Sequence, residues 1–324
     1  METNSTHCVE VVPVVLEPHP NADALSVVRV HGYQAIVRTD DWRGRSVGAY
    51  CPPDSVVPPG LVPGIEGRIR AIRLRGLWSE GLLVPAPDGV ALGEDVARLL
   101  GVGHYVPPEN PSVGDDAPAP PGLVPTYGLE AARRYATCLR EGERVAITEK
   151  IHGANARYTF RDGEMHAGSR TGWKARTDDR SRVSQWWSAL DAAPEVEAWC
   201  RANPGAVVFG EVYGQVQDLR YGIDRAARLV VFDIFADGRW LDHGEARDAA
   251  PDLPWVPTLY EGPWLGLDAS AEHAEGESIL ARRNGTKHVR EGCVVRPLSE
   301  RWDPVAGRVV LKLIGRGYLA RRER

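Results

Sequence analysis

Short apolar runs separated by turn residues fill the first part of the chain: VEVVPVVL (9–16), SVVRV (26–30), YQAIV (33–37), SVGAY (46–50), RIRAIRL (68–74) and EGLLVP (80–85). Val and Ile dominate, Gly and Pro punctuate, and no long stretch keeps a 3.6-residue period. The pattern predicts an all-β module, a small barrel. Strand-like runs return in ERVAITEK (143–150), ARYTF (156–160), AVVFGEVYG (206–214), RLVVFDIF (228–235), GCVVRP (292–297) and RVVLKLI (308–314). Helical patterning interrupts them near 128–140 and over about 181–203, where Trp186, Trp187 and Trp199 are available for packing. An α+β arrangement follows, with antiparallel sheets flanked by helices.

Between the two sets of strands lies VPPENPSVGDDAPAPPGLVP (106–125), rich in proline and poor in core-forming residues. Such a segment is expected to act as a semi-rigid spacer. It divides the chain into an N-terminal domain (1–105), a linker (106–125) and a C-terminal domain (126–324), in keeping with a length of 324 residues. No internal repeat is present.

Composition narrows the classes. With 43% hydrophobic and 26% charged residues the chain has the balance of a soluble globular protein. No apolar run approaches the roughly 20 residues of a membrane span, and METNSTHCVE lacks the features of a signal peptide. A cytoplasmic location without membrane contact is the expectation. Cys8, Cys51, Cys138, Cys200 and Cys293 lie far apart and are odd in number, so neither a zinc knuckle nor a disulfide framework fits. Reduced, buried thiols are expected, and the nine scattered histidines give no support to a histidine metal cluster.

The net charge of −5 excludes a uniformly basic surface but leaves room for local ones. Two concentrations stand out: Arg68, Arg70, Arg73 and Arg75, and then Arg308, Lys312, Arg316, Arg321, Arg322 and Arg324. Alone, each fits a solvated face. Phosphate contact becomes the better account where a catalytic site lies nearby. Of 39 basic side chains only Lys150, Lys174, Lys287 and Lys312 are lysine. An arginine suffices for plain charge, whereas a lysine amine can lose its proton and act as a nucleophile.

No Gly-x-x-x-x-Gly-Lys-Ser/Thr loop and no complete Gly-x-Gly-x-x-Gly occurs, so a nucleotide would have to be bound by another route. The sharpest feature is Thr148-Glu149-Lys150-Ile151-His152-Gly153-Ala154-Asn155. A strand ending in Lys150 and followed by a glycine turn presents an amine at a strand end. On Lys-x-x-Gly alone an edge lysine before an ordinary turn fits as well; the polar companions His152, Asn155, Ser169 and Arg170 tip the balance. His152 and Arg170 are expected to depress the lysine pKa by like-charge repulsion. Such an amine could attack the α-phosphorus of ATP.

The Lys-Ile-His-Gly-x-Asn pattern resembles motif I of the RNA ligases related to bacteriophage T4 RNA ligase 2, in the covalent nucleotidyltransferase superfamily. Further motifs follow in the expected order: Phe209-Gly210-Glu211-Val212-Tyr213-Gly214 is similar to motif III, Val231-Phe232-Asp233-Ile234 to motif IIIa, Glu291-Gly292-Cys293-Val294-Val295-Arg296 to motif IV, and Val310-Leu311-Lys312 to motif V. DNA ligases and capping enzymes usually carry Asp where this chain has His152, and Val310 stands where many relatives have a first lysine. The resemblance implies that Lys150 is the nucleophile and that Glu149 helps hold adenine. It places Asn155 and Arg170 near the ribose and phosphates, Glu211 on the ribose hydroxyls and Phe232 stacked on adenine. Asp233 and Glu291 would hold Mg²⁺ (or Mn²⁺), and Lys312 would contact the α-phosphate.

Pro18-His19-Pro20-Asn21-Ala22-Asp23-Ala24-Leu25-Ser26, followed by Val28-Arg29-Val30, resembles the opening of oligonucleotide-binding-fold (OB-fold) modules that bind tRNA. Asp54-Ser55-Val56-Val57-Pro58 and Arg73-Leu74-Arg75-Gly76-Leu77-Trp78-Ser79-Glu80-Gly81-Leu82 resemble the N-terminal module of Deinococcus-type RNA ligases. This implies an OB-like barrel whose Arg73, Arg75 and Trp78, together with Arg170, contact nucleic acid. The implied substrate is a nicked RNA or RNA–DNA duplex with an RNA 3′-OH strand. Two other functions share these features: another covalent nucleotidyltransferase, of DNA-ligase or capping type, and a non-catalytic RNA-binding protein of the same fold.

Overall fold

The computed structural model describes residues 7–105, 115–214 and 217–321. The chain divides into two compact units, Met1–Pro107 with Leu319–Arg322, and Pro108–Tyr318 with Glu323–Arg324.

The first unit is built from strands β1 (Glu10–Pro13), β2 (Glu17–Pro18), β3 (Leu25–Val30), β4 (Tyr33–Arg38), β5 (Val47–Cys51) and β6 (Ser55–Val62). It continues with β7 (Ile65–Arg68), β8 (Ile72–Leu74), β9 (Leu77–Ser79), β10 (Leu82–Pro85) and β11 (Gly103–His104). They pair as β1-β5-β10, β11-β6-β7, β2-β3-β4 and β8-β9. The all-β expectation holds, but these are separate small sheets, and no closed barrel forms among the described residues. The strands are short, of two to six residues except β6 with eight. Two apolar clusters fill the unit, one around Val28, Trp42 and Tyr50 and one around Val11, Ala49 and Val84.

The second unit begins with β12 (Asp116–Ala117), β13 (Glu130–Ala131), β14 (Arg144–Lys150), β15 (Ala154–Arg161), β16 (Glu164–Gly168) and β17 (Trp173–Lys174). Then come β18 (Val207–Tyr213), β19 (Arg228–Ala236), β20 (Arg239–Trp240), β21 (Thr258–Pro263), β22 (Gly292–Pro297), β23 (Trp302–Asp303), β24 (Gly307–Arg308) and β25 (Leu311–Ile314). A seven-stranded sheet has the order β12-β17-β16-β15-β18-β19-β20, and a five-stranded sheet the order β13-β25-β22-β14-β21. Among the described strands only β13 and β25 pair in parallel. Antiparallel sheets with helices outside are what the alternation of runs predicted.

Apolar clusters between and outside the sheets hold the unit. Phe209 and Phe235 of one sheet meet Val294 of the other and Val310, just before β25, with Tyr127 in the same cluster. Helices Gln185–Asp191 and Pro194–Ala202 cover the outer face of the large sheet through Trp186, Leu190, Val196 and Cys200. The outer face of the small sheet packs Ile147, Cys293 and Leu313 under Trp264 and Ala274.

Three departures from the sequence pattern have local causes. The helix expected over 181–203 is two helices, because Pro194 occupies the first turn of the second and forces Ala193 out of helical geometry at φ −135°. The helix expected near 128–140 shrinks to Ala132–Tyr135 and a 3₁₀ turn, since Glu130 and Ala131 are taken into the small sheet beside Leu311 and Lys312. Of the proline-rich segment, 106–114 lie outside the described residues. The following part is not a bare spacer: Asp116–Ala117 pairs with β17, and buried Asp115 accepts a hydrogen bond from Lys174 Nζ at 2.9 Å. Among the described residues no helix is long and apolar enough to cross a membrane. All five cysteines are free thiols, four of them buried.

Candidate active site

Lys150 ends β14 in the small sheet, and Ala154 opens β15 in the large one. Ile151–Gly153 is therefore the passage between sheets, and the amine stands where the chain crosses. Gly153 permits the passage: a Cβ there would lie 2.1 Å from the Val212 carbonyl oxygen and 3.0 Å from Glu211 Cγ. Gly153→Ala is expected to push Lys150 away from β18 and to slow any reaction at its amine by about 10²-fold, the usual cost of an ångström-scale misplacement. Single-turnover labelling beside a melting curve checks this; a rate within about threefold of wild type would show that the turn has slack.

Strand register delivers the neighbours of Lys150. It pairs with Gly292, so Glu291 precedes its partner on β22, and Glu291 Oε1 sits 2.7 Å from Lys150 Nζ. Asn155 pairs with Glu211, which brings a second carboxylate from the large sheet. Lys312 pairs with Val294, one strand farther across the small sheet.

The charges in this cluster are strongly coupled. Burial opposes the charge on Lys150, but Glu291, Glu211 and the hydrogen bond to Glu291 outweigh it and hold the amine above its usual range. The expected depression by His152 and Arg170 is thus overturned: the amine lies between acids, and His152 meets Glu291 instead, with Nδ1 3.7 Å from Oε2. Burial also works against ionised Glu291, yet Lys150 and His152 keep it below the normal carboxylate range. Glu211 is pushed up to about 8 by burial, with Glu291 adding to the rise and Lys150 opposing it. Two neighbouring acids with opposite shifts are a common mark of a functional site. Lys312 is lowered by burial first and then by Lys150, with a further push from Arg170.

Beside the amine opens a cleft lined among others by Glu149, Lys150, Asn155, Glu211, Phe232 and His243. Glu149 Oε2 accepts the backbone N–H groups of Ile279 and Leu280 at 3.0 and 3.2 Å, while its buried Oε1 has no protein partner. Asn155 Oδ1 is likewise buried and unpartnered. Two acceptors, an aromatic ring and an apolar floor in one cleft suit a flat polar ligand. His243 was not foreseen; burial, then Arg247 and Arg296, drop its pKa to about 3, so it faces the cavity as a neutral ring.

Arg170 is exposed on the turn after β16. Asp233 is a correction. It is fully buried and holds Arg296 Nη1 at 3.0 Å, Arg308 Nη2 at 2.6 Å and the Tyr127 hydroxyl at 2.9 Å. A carboxylate already neutralised by two guanidinium groups is no ligand for a cation, and Arg308 is thereby withdrawn from the basic surface expected near the C-terminus. In the first unit, Arg73, Arg75 and Trp78 share the β8–β9 hairpin, with the Arg73 guanidinium 5.9 Å from the Trp78 ring centre. Arg68 is occupied by Asp54 at 2.8 Å.

Residues 143–314 match the RNA ligase family, a span holding β14 through β25 and every carboxylate and lysine of this cluster. The chain belongs to the RNA ligase family. Its fold is similar to that of Naegleria gruberi RNA ligase: a mutant with ATP and Mn superposes with a TM-score of 0.77 at 20% identity, covering 96% of this chain and 98% of that one. A mutant with AMP and Mn and the protein with PPi give the same TM-score and identity, each covering 97% of this chain and 98% of the other. No curated protein matches the chain. The protein is therefore an enzyme, an RNA ligase.

Proposed function

We propose that this ligase uses ATP to seal 3′-OH/5′-phosphate breaks through a covalent lysyl-AMP on Lys150, acting on nicked duplexes whose 3′-OH strand ends in RNA. The observation that carries the reading is the placement of one mostly buried amine, 2.7 Å from Glu291, at the mouth of a cavity with an aromatic wall and unused acceptors. In that cavity Phe232 stacks on adenine, and Glu149 Oε1 accepts from its exocyclic amine. Stacking of this kind contributes roughly 1–3 kcal/mol. Asn155 lies toward the ribose.

Lys150 Nζ attacks the α-phosphorus, the bond to the β-phosphate oxygen breaks, and pyrophosphate leaves. Glu291 aims the amine and is the nearest acceptor for its proton. Lys312 faces the negative charge gathering on the α-phosphate. AMP then passes to the 5′-phosphate end, which Arg170 helps bind, and the 3′-OH displaces AMP. With Asp233 excluded, Glu211 and Glu291 are the acids that would hold a divalent cation, and Glu211 is moved to this role from the ribose. Among the described residues no group of three or more His, Cys, Asp or Glu gathers as a metal cage. Two carboxylates therefore fit an ion that keeps most of its waters, as Mg²⁺ does. When bound, the ion supplies positive charge at the phosphates.

The first unit is assigned to nucleic-acid binding through Arg73, Arg75 and Trp78. Incubation with α-labelled ATP and Mg²⁺, then denaturing electrophoresis, tests the reading: label should remain on the protein, ATP should outcompete GTP, and pulsed enzyme should seal nicks with an RNA 3′-OH strand. Folded protein that retains RNA but takes no label would establish the non-catalytic alternative, and transfer from GTP the capping type.

A further inference from the structure

We propose that Asp218 is a positioning residue for enzyme adenylylation: it fixes the His152 ring, and the ring in turn keeps Glu291 aimed at Lys150. The proposal rests on the ligase reading above and assigns a role to a residue outside every recognised motif.

His152 Nε2 lies 2.7 Å from Asp218 Oδ1. An ionised carboxylate only accepts, so Nε2 carries the proton in this contact and the opposite ring nitrogen is turned inward. There Nδ1 meets the Tyr318 hydroxyl at 3.0 Å and Glu291 Oε2 at 3.7 Å. The backbone N–H of His152 donates to the Tyr221 hydroxyl at 2.8 Å. The ring is thus fixed at both nitrogens and at its backbone.

What the ring does follows from Glu291. Its Oε1 holds Lys150, whereas its Oε2 is buried without a hydrogen bond. Nothing hydrogen-bonded sets the rotation of this carboxylate from the Oε2 side, so the His152 edge beside it acts as the stop. Asp218 lies 66 residues beyond His152, on the connection between β18 and β19, and is itself partly exposed. Removing it opens little core and leaves the ring held by Tyr318 alone, so that it can turn over and exchange its protonated nitrogen. The division of labour parallels other sites in which a carboxylate orients an imidazole that does the contacting.

The test uses the full chain with isotope-labelled histidine nitrogens, the His152 signal being assigned by its loss in His152→Asn. Wild type should show a single His152 species with Nε2 protonated. Asp218→Ala should show mixed tautomers and single-turnover adenylylation slowed by about 10–100-fold, the usual cost of losing such an orienting partner, with the ATP KM changed far less than kcat. Asp218→Asn, isosteric, should fall between the two, and it carries the test if Asp218→Ala proves unfolded by melting. The proposal is overturned if the His152 spectrum is unchanged in the alanine variant, if the loss lies in KM alone, or if the rate stays near wild type. Absence of label on wild-type protein would instead defeat the ligase reading, and the spectra would still decide whether Asp218 sets the ring.

Discussion

Lys150→Arg is expected to abolish transfer of label from ATP while the protein stays folded. A guanidinium keeps the positive charge and can hold Glu291 as the ammonium does, so the buried acid is not stranded. It remains protonated at any usable pH and has no lone pair to offer phosphorus. Loss of a covalent nucleophile typically removes on the order of 10⁶ in rate, which puts residual labelling below detection. Denaturing electrophoresis after incubation with α-labelled ATP reads the label, and a melting curve reads the fold. If Lys150→Arg still takes label, the nucleophile lies elsewhere, and Lys312, next in the polar cluster, is the first alternative.

The second large effect is on stability. Asp233→Ala should cost roughly 3–5 kcal/mol, because it removes the fully buried one of the two acids, Asp233 and Glu300, that together hold Arg296 and Arg308. Burial works against ionised Asp233, but the two arginines and the Tyr127 hydroxyl keep it below the ordinary carboxylate range. Chemical denaturation measures the loss. The Mg²⁺ concentration needed for half-maximal labelling should not move, measured at a temperature where the variant is folded. A variant with near-normal stability but a tenfold higher Mg²⁺ requirement would return Asp233 to the ion.

Asp233 also shows where sequence legibility stops. An aspartate in the apolar strand Val231-Phe232-Asp233-Ile234 has the same local signature whether it meets a cation or two arginines. The deciding partners lie 63 and 75 positions away, and only the fold brings them close. Lys150 was legible because its information is local: a strand, a lysine in an arginine-rich chain and a glycine at the crossing. The direction of its pKa was not, since Glu211 and Glu291 come from two different sheets. Phe232 and Glu149 lie in motifs and line the cleft beside Lys150, whereas His243 lines it from outside every motif. Its ring reaches the cavity from the start of a helix whose sequence reports only amphipathic packing. In the first unit, alternation revealed the strands. How sheets join depends on long-range pairing, which alternation does not encode.

The pairing of Lys150 with Gly292 has an evolutionary corollary. Because β14 and β22 are neighbouring strands, the spacing between amine and acid can change only in whole steps along the backbone ladder. A shift by one position would present the next side chain to the opposite face. Gly292 reinforces this, for a Cβ there would lie 2.2 Å from the Leu313 carbonyl oxygen. Descendants of this chain can therefore adjust reactivity by exchanging the residues around the pair, but sliding the pair itself is closed to them.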